Sequence, residues 1–124
     1  MEIIMSLQLA TKIAASLPVV RGQQRICAVV CDKRGRVLSV GVNSYQKSHP
    51  IQAKYAEQAG NVCAQYIHAE VAALVALSYN DRQKVHKIFV IRVMKNGETG
   101  LAMPCSICQL ALKDFGIKEV SYTV

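Results

Sequence analysis

Apolar residues at Ile3, Ile4, Leu7, Ala10, Ile13, Ala14 and Leu17 carry the spacing of an amphipathic helix over Ile3–Leu17, ended by Pro18. Two β-rich runs follow, Arg25–Cys31 and Val37–Val42. Between them Asp32-Lys33-Arg34-Gly35-Arg36 reads as a hairpin turn with Gly35 in the positive-φ position. Asn43–Cys63 is polar, contains Pro50 and Gly60, and predicts only a short helical stretch over Gln52–Gln58. Its length and its place just before His68 are those of a binding-site segment.

The alanine-rich run Ile67–Tyr79 predicts a second long helix, and Lys87–Met94 a strand closed by the turn Lys95–Glu98. Gly100–Pro104 is an approach loop to a helix over Cys105–Phe115 with Gly116 as its C-terminal cap, and Lys118–Val124 is a final strand. The order α-β-β-α-β-α-β predicts an α/β fold, a three-layer α/β/α domain over residues 1–124. Its sheet is expected to be mixed, with four to five strands and an antiparallel hairpin on one edge.

Composition narrows the class. Apolar residues make up 52% of the chain, which excludes disorder, and no apolar run is long enough to span a membrane. The first ten residues open with Glu2 and lack a basic region, so no signal peptide is expected and a cytoplasmic location follows. Five cysteines, an odd number, argue for reduced thiols rather than a disulfide framework. Fifteen Lys and Arg against eight Asp and Glu leave a net charge of +7, which favours an anionic partner, nucleotide or polynucleotide.

Two short motifs carry the chemistry: His68-Ala69-Glu70 and Pro104-Cys105-Ser106-Ile107-Cys108. One imidazole and two sulfurs suit a zinc ion (Zn²⁺) that keeps a fourth position for water, and Glu70 supplies a carboxylate off the metal. The three-residue spacing places Cys105 and Cys108 on one helical face. Both motifs fall at helix starts, where exposed N–H groups lower the cost of holding thiolates. A purely structural site would close with a fourth protein ligand, and Cys63 is the available candidate; Glu70 would then have no role.

The pattern H-x-E…P-C-x-x-C resembles that of the zinc-dependent cytidine and deoxycytidylate deaminase superfamily. Gly41-Val42-Asn43 resembles the Gly-x-Asn with which the family holds sugar or base. Cys108–Val120 looks like the helix, glycine and strand of the deoxycytidylate deaminases, here in a short form. The resemblance, from about Ala28 onward, implies Zn²⁺ on His68, Cys105 and Cys108, with Glu70 as the proton shuttle. It also implies hydrolysis of a cytosine nucleotide, dCMP to dUMP and ammonia. Deamination of a free nucleoside, or of cytosine or adenine in a polynucleotide, is the alternative, and a non-catalytic zinc module is a third reading.

Substrate contacts are expected from Asn43, from Ala69, whose small side chain permits close approach, and from the loop cations Lys47 and His49, with Lys54 beside them. Tyr45 and Tyr66 are candidates for stacking on the base. Cys27 and Cys31 share a strand face as buried thiols, and His86 shows no partner. Met103 stands where many relatives carry Glu, and no second zinc site is expected. The final strand ends the chain early for this family, and its uncovered edge predicts a homo-oligomer.

Overall fold

A computed structural model describes residues 2–61 and 66–124, with side chains from residue 6 onward. The chain forms α1 (Glu2–Ser16), β1 (Arg25–Cys31), β2 (Val37–Val42), α2 (Pro50–Gln58), α3 (Ala69–Val75), α4 (Tyr79–Arg82), β3 (Lys87–Val93), β4 (Thr99–Gly100), α5 (Ser106–Asp114) and β5 (Glu119–Tyr122). The five-stranded sheet runs β2-β1-β3. The far side of β3 is shared by β5, which pairs in parallel with Lys87–Val90, and by β4, which pairs antiparallel with Arg92 and Val93.

Alternation along the central strands divides the protein into layers. Cys27, Val29 and Cys31 of β1, with Phe89, Ile91 and Val93 of β3, pack beneath Ala10 and Ala14 of α1. The intervening Ala28, Val30, Ile88 and Val90 pack on the opposite face against Val71 and Leu74 of α3 and Ile107 and Leu112 of α5. The mixed α/β/α sandwich expected from the pattern is therefore present, with the shared face of Cys27 and Cys31 turned to α1. No helix among the described residues is long and apolar enough to cross a membrane.

Two crossovers position the site. β2 and β3 both lie antiparallel to β1 and so run parallel to each other, and β3 is parallel to β5. The connections β2–α3–β3 and β3–α5–β5 step across the sheet in the same sense, so their common handedness puts α3 and α5 on one face. Each helix begins beyond the C-terminal end of its strand. Their N-termini therefore meet at one edge of the sheet.

Several boundaries differ from the sequence pattern. The predicted helix Ile67–Tyr79 stops at Val75, because Ser78 accepts the backbone N–H of Asp81 at 3.1 Å and caps a separate helix, α4. α2 begins earlier than predicted, at Pro50, where His49 Nδ1 accepts the backbone N–H of Ile51. The approach loop contributes Thr99 and Gly100 to the sheet as β4. His86 does have a partner: its ring lies 3.6 Å from a Glu119 oxygen, and its carbonyl accepts the N–H groups of Lys118 and Glu119. Gly35 and Gly116 adopt φ of +86° and +84°, as their turn and cap positions require.

Candidate active site

His68 and Cys105 are the N-cap residues of α3 and α5, both in extended backbone conformation. His68 Nδ1 lies 3.3 Å from Cys108 Sγ and 3.5 Å from Cys105 Sγ. Zn–N of ~2.0 Å and Zn–S of ~2.3 Å at tetrahedral angles place such atoms about 3.5 Å apart, so the donor set fits one zinc ion. Cys108 is fully buried, whereas Cys105 is exposed and lines a cavity of about 310 Å³. Cys63 lies outside the described residues; among those, this trio is the one group of His, Cys, Asp or Glu placed to hold a metal.

Electrostatics in this cluster follow from crowding. The hydrogen bond from Cys108 holds the Cys105 thiol down to about 4, with His68 adding to the effect. The same bond to Cys105, together with burial, pushes Cys108 up. The shared hydrogen bond and the difference in burial thus favour ionisation of the exposed Cys105 over the buried Cys108. His68 is raised chiefly by its hydrogen bond to Cys105. Glu70, only 6% exposed, is raised above the usual carboxylate range by desolvation.

Glu70 lines the same cavity as His68, Cys105, Ala69 and Asn43, with Tyr45 and Tyr66 at its exposed margin. Asn43 is more constrained than a free ligand-binding amide. Its Oδ1 accepts the N–H of Ile26 at 3.0 Å, and its Nδ2 donates to the carbonyl of Gln24 at 2.9 Å. One lone pair and one N–H remain for a ligand. The segment around Asn43 is tied to the approach to His68, since Ser44 N donates to Ile67 O and Ile67 N to Lys47 O.

Lys47 and His49, expected at the substrate, do not line the cavity. Lys47 is exposed, and His49 spends its Nδ1 on capping α2. Lys54 is also outside, with its ammonium 5.3 Å from the centre of the Tyr55 ring. Loop proximity in sequence pointed to these cations, and none of the three is among the residues that line the cavity.

Residues that sequence reasoning did not single out support the site. Gln52 is fully buried, and its Oε1 accepts the backbone N–H of His68 at 3.1 Å. Ser39 Oγ donates to Ala73 O at 2.6 Å, pinning α3 to β2. Gln109 Nε2 donates to Pro104 O at 2.9 Å and steadies the entry to α5. Gly41 lets β2 and α3 approach closely, because a Cβ there would overlap Ala73 N and sit 2.5 Å from Ala69 O.

A family model described as the cytidine and deoxycytidylate deaminase zinc-binding region matches residues 3–124. The chain belongs to that family. Its metal is accordingly zinc, for which His68, Cys105 and Cys108 are positioned. Membership makes it a zinc-dependent deaminase-type hydrolase acting on a small nucleoside or nucleotide.

The fold is similar to that of the crystal structure of cytidine deaminase from Mycobacterium tuberculosis, with a TM-score of 0.57 at 20% identity over 98% of this chain and 83% of that one. A mutant of the same enzyme gives 0.58 at 20% identity, covering 98% and 84%. A second mutant gives 0.54 at 21% identity, covering 91% and 75%. No curated protein sequence matches this chain significantly.

Proposed function

We propose that this chain hydrolyses the exocyclic amine of a cytosine nucleotide, converting dCMP to dUMP and ammonia. The observation that carries the reading is Glu70: a buried carboxyl group facing the cavity, two residues beyond His68. When bound, zinc supplies Lewis-acid activation that brings the pKa of water to about 7. Glu70 takes the proton released as water adds to C4 of the ring and delivers it to N3. It then carries the proton of the new C4 hydroxyl to the departing amine, so that the C4–N bond breaks and a C4 carbonyl remains. Its position suits Glu70 to this work, because a buried carboxyl group lining the cavity can both accept a proton and return it.

Asn43 presents its remaining amide N–H and lone pair to the sugar or base edge, and Ala69 leaves room for the ring. Tyr45 and Tyr66 offer exposed rings for stacking. Lys47 and His49 have no part in this reading, since they stand outside the lining. Exposed Met103, Val120 and Tyr122 beside the open edge of β5 favour a homo-oligomer.

Ammonia release from dCMP, deoxycytidine, CMP, cytidine and a short single-stranded oligonucleotide, each with zinc-loaded protein, tests the proposal. Turnover of dCMP ahead of the others is expected. Deoxycytidine or the oligonucleotide as the preferred substrate replaces it, and inertness towards all five ends it.

A further inference from the structure

A second cleft adjoins the active-site cavity. It measures about 560 Å³ and lies between the residues leading into β1 and the β3–β4 turn; Gln24 lines both spaces. Its charged residues are Arg25, Arg92 and Lys95, and no carboxylate lines it. Among the described residues none of the three forms an ion pair.

Sheet register ties this cleft to the catalytic face. Asn43, Ile26, Arg92 and Gly100 form one row across β2, β1, β3 and β4: Asn43 N donates to Ile26 O, Ile26 pairs with Arg92, and Arg92 with Gly100. Directly opposed residues in antiparallel strands point to the same face. Asn43 and Ile26 line the cavity, and Arg92, the next side chain along the row on that face, lines the adjoining cleft.

Arg92 is also unsatisfied. Its Nε is buried and has no hydrogen-bond partner among the described residues. A buried guanidinium nitrogen without an acceptor calls for one, and phosphate oxygens match the planar fork of donors in both charge and geometry. Arg25 differs in role. Its guanidinium is anchored to the carbonyls of Ala15, Leu17 and Met94, so it contributes fixed positive charge rather than a free donor. Lys95, exposed on the turn, supplies a mobile ammonium at the rim.

We propose that the cleft bordered by Arg25, Arg92 and Lys95 seats the 5′-phosphate of a free cytosine nucleotide whose ring occupies the adjoining cavity. This rests on the deaminase reading for the position of the ring. All three residues line the one cleft next to the cavity, Arg25 from the α1 face of the sheet and Arg92 from the opposite face, instead of tracking away along the surface. That favours a single phosphomonoester over the repeated phosphodiesters of a polynucleotide.

Calorimetric titration of the zinc-loaded full chain with dUMP and with deoxyuridine, neither of which turns over, tests the seat directly. The phosphate is expected to tighten binding by about tenfold or more. Arg92→Met should remove most of that preference and Lys95→Met part of it; the second change, on an exposed turn, remains informative if the first disturbs folding. Inorganic phosphate should compete with dUMP in the unmodified protein. Equal binding of dUMP and deoxyuridine overturns the proposal, as does an Arg92→Met variant that weakens both ligands by the same factor. An oligonucleotide that displaces dUMP at equal or lower concentration also overturns it. Absence of ammonia release from every cytosine compound, with the Arg92-dependent preference for dUMP intact, counts against the deaminase reading and leaves the phosphate seat standing.

Discussion

Gln52 Oε1 accepts the backbone N–H of His68 at 3.1 Å from a position with no solvent exposure. His68 is an N-cap whose own side chain makes no capping bond, so this contact orients the turn from which its imidazole projects. Replacing Gln52 with Leu keeps most of the volume and strands the amide. A loss of about 1–3 kcal/mol in urea unfolding is expected. Zinc affinity should fall roughly tenfold or more, read by competition with a chromophoric chelator. Unchanged zinc affinity would show that α3 holds His68 without help.

Gly41→Ala is expected to be far costlier than a surface change. The added methyl meets backbone atoms of Ala69 and Ala73 that cannot rotate away. The cost expected for overpacking is about 1–3 kcal/mol or more, with α3 pushed off β2. Because α3 carries Glu70 and is capped by His68, zinc stoichiometry should drop along with the melting temperature.

Glu70→Gln should abolish ammonia release while retaining one zinc per chain. A stability effect accompanies it in metal-free protein. Burial raises the folded-state pKa of Glu70, so the unfolded chain ionises first as pH rises, and stability declines from the ordinary carboxylate pKa up to the folded one. The Gln variant escapes that decline. Its apo form should be more stable than the parent at pH 7, and the gap should close as pH falls below about 4. Thermal melts at both pH values check this.

Metal removal should expose one unusual thiol. Cys105 is solvent-accessible and held down to about 4, while Cys108 is buried and keeps its proton. Chelated protein treated with iodoacetamide at pH 6, where an ordinary thiol of pKa ~8.5 is nearly all protonated, should be modified at Cys105 ahead of Cys108. Zinc should protect it. Peptide mapping by mass spectrometry reads the outcome.

Local patterning made the strands β1 and β2, the Gly35 turn and the Gly116 cap legible, because each depends on neighbours within a few residues. The two motifs were legible for the same reason: residue type and i, i+3 spacing declare a thiol pair. Gln52 carried no such signal, since a polar residue in a polar segment looks solvated until the fold encloses it. Arg92 carries no signal that sets it apart from the chain's other cations, and only its register opposite Ile26 places it at the cleft next to the cavity. Lys47 and His49 were chosen for nearness along the chain, which does not specify whether a side chain faces the cavity, and neither is in its lining.

By itself the sequence determined which side chains are able to bind zinc, where the helices that bear them begin, and which strand positions face each layer. These are matters of residue chemistry and of periods two and three to four residues long. Tertiary structure decided that the starts of α3 and α5 meet, because two crossovers of like hand between parallel strands bring both to one sheet edge. It also decided that Glu70 is desolvated, that Gly41 admits no side chain, and that Arg92 lines the cleft next to the cavity. Each of those depends on backbone segments distant in sequence lying against one another, which no local pattern encodes.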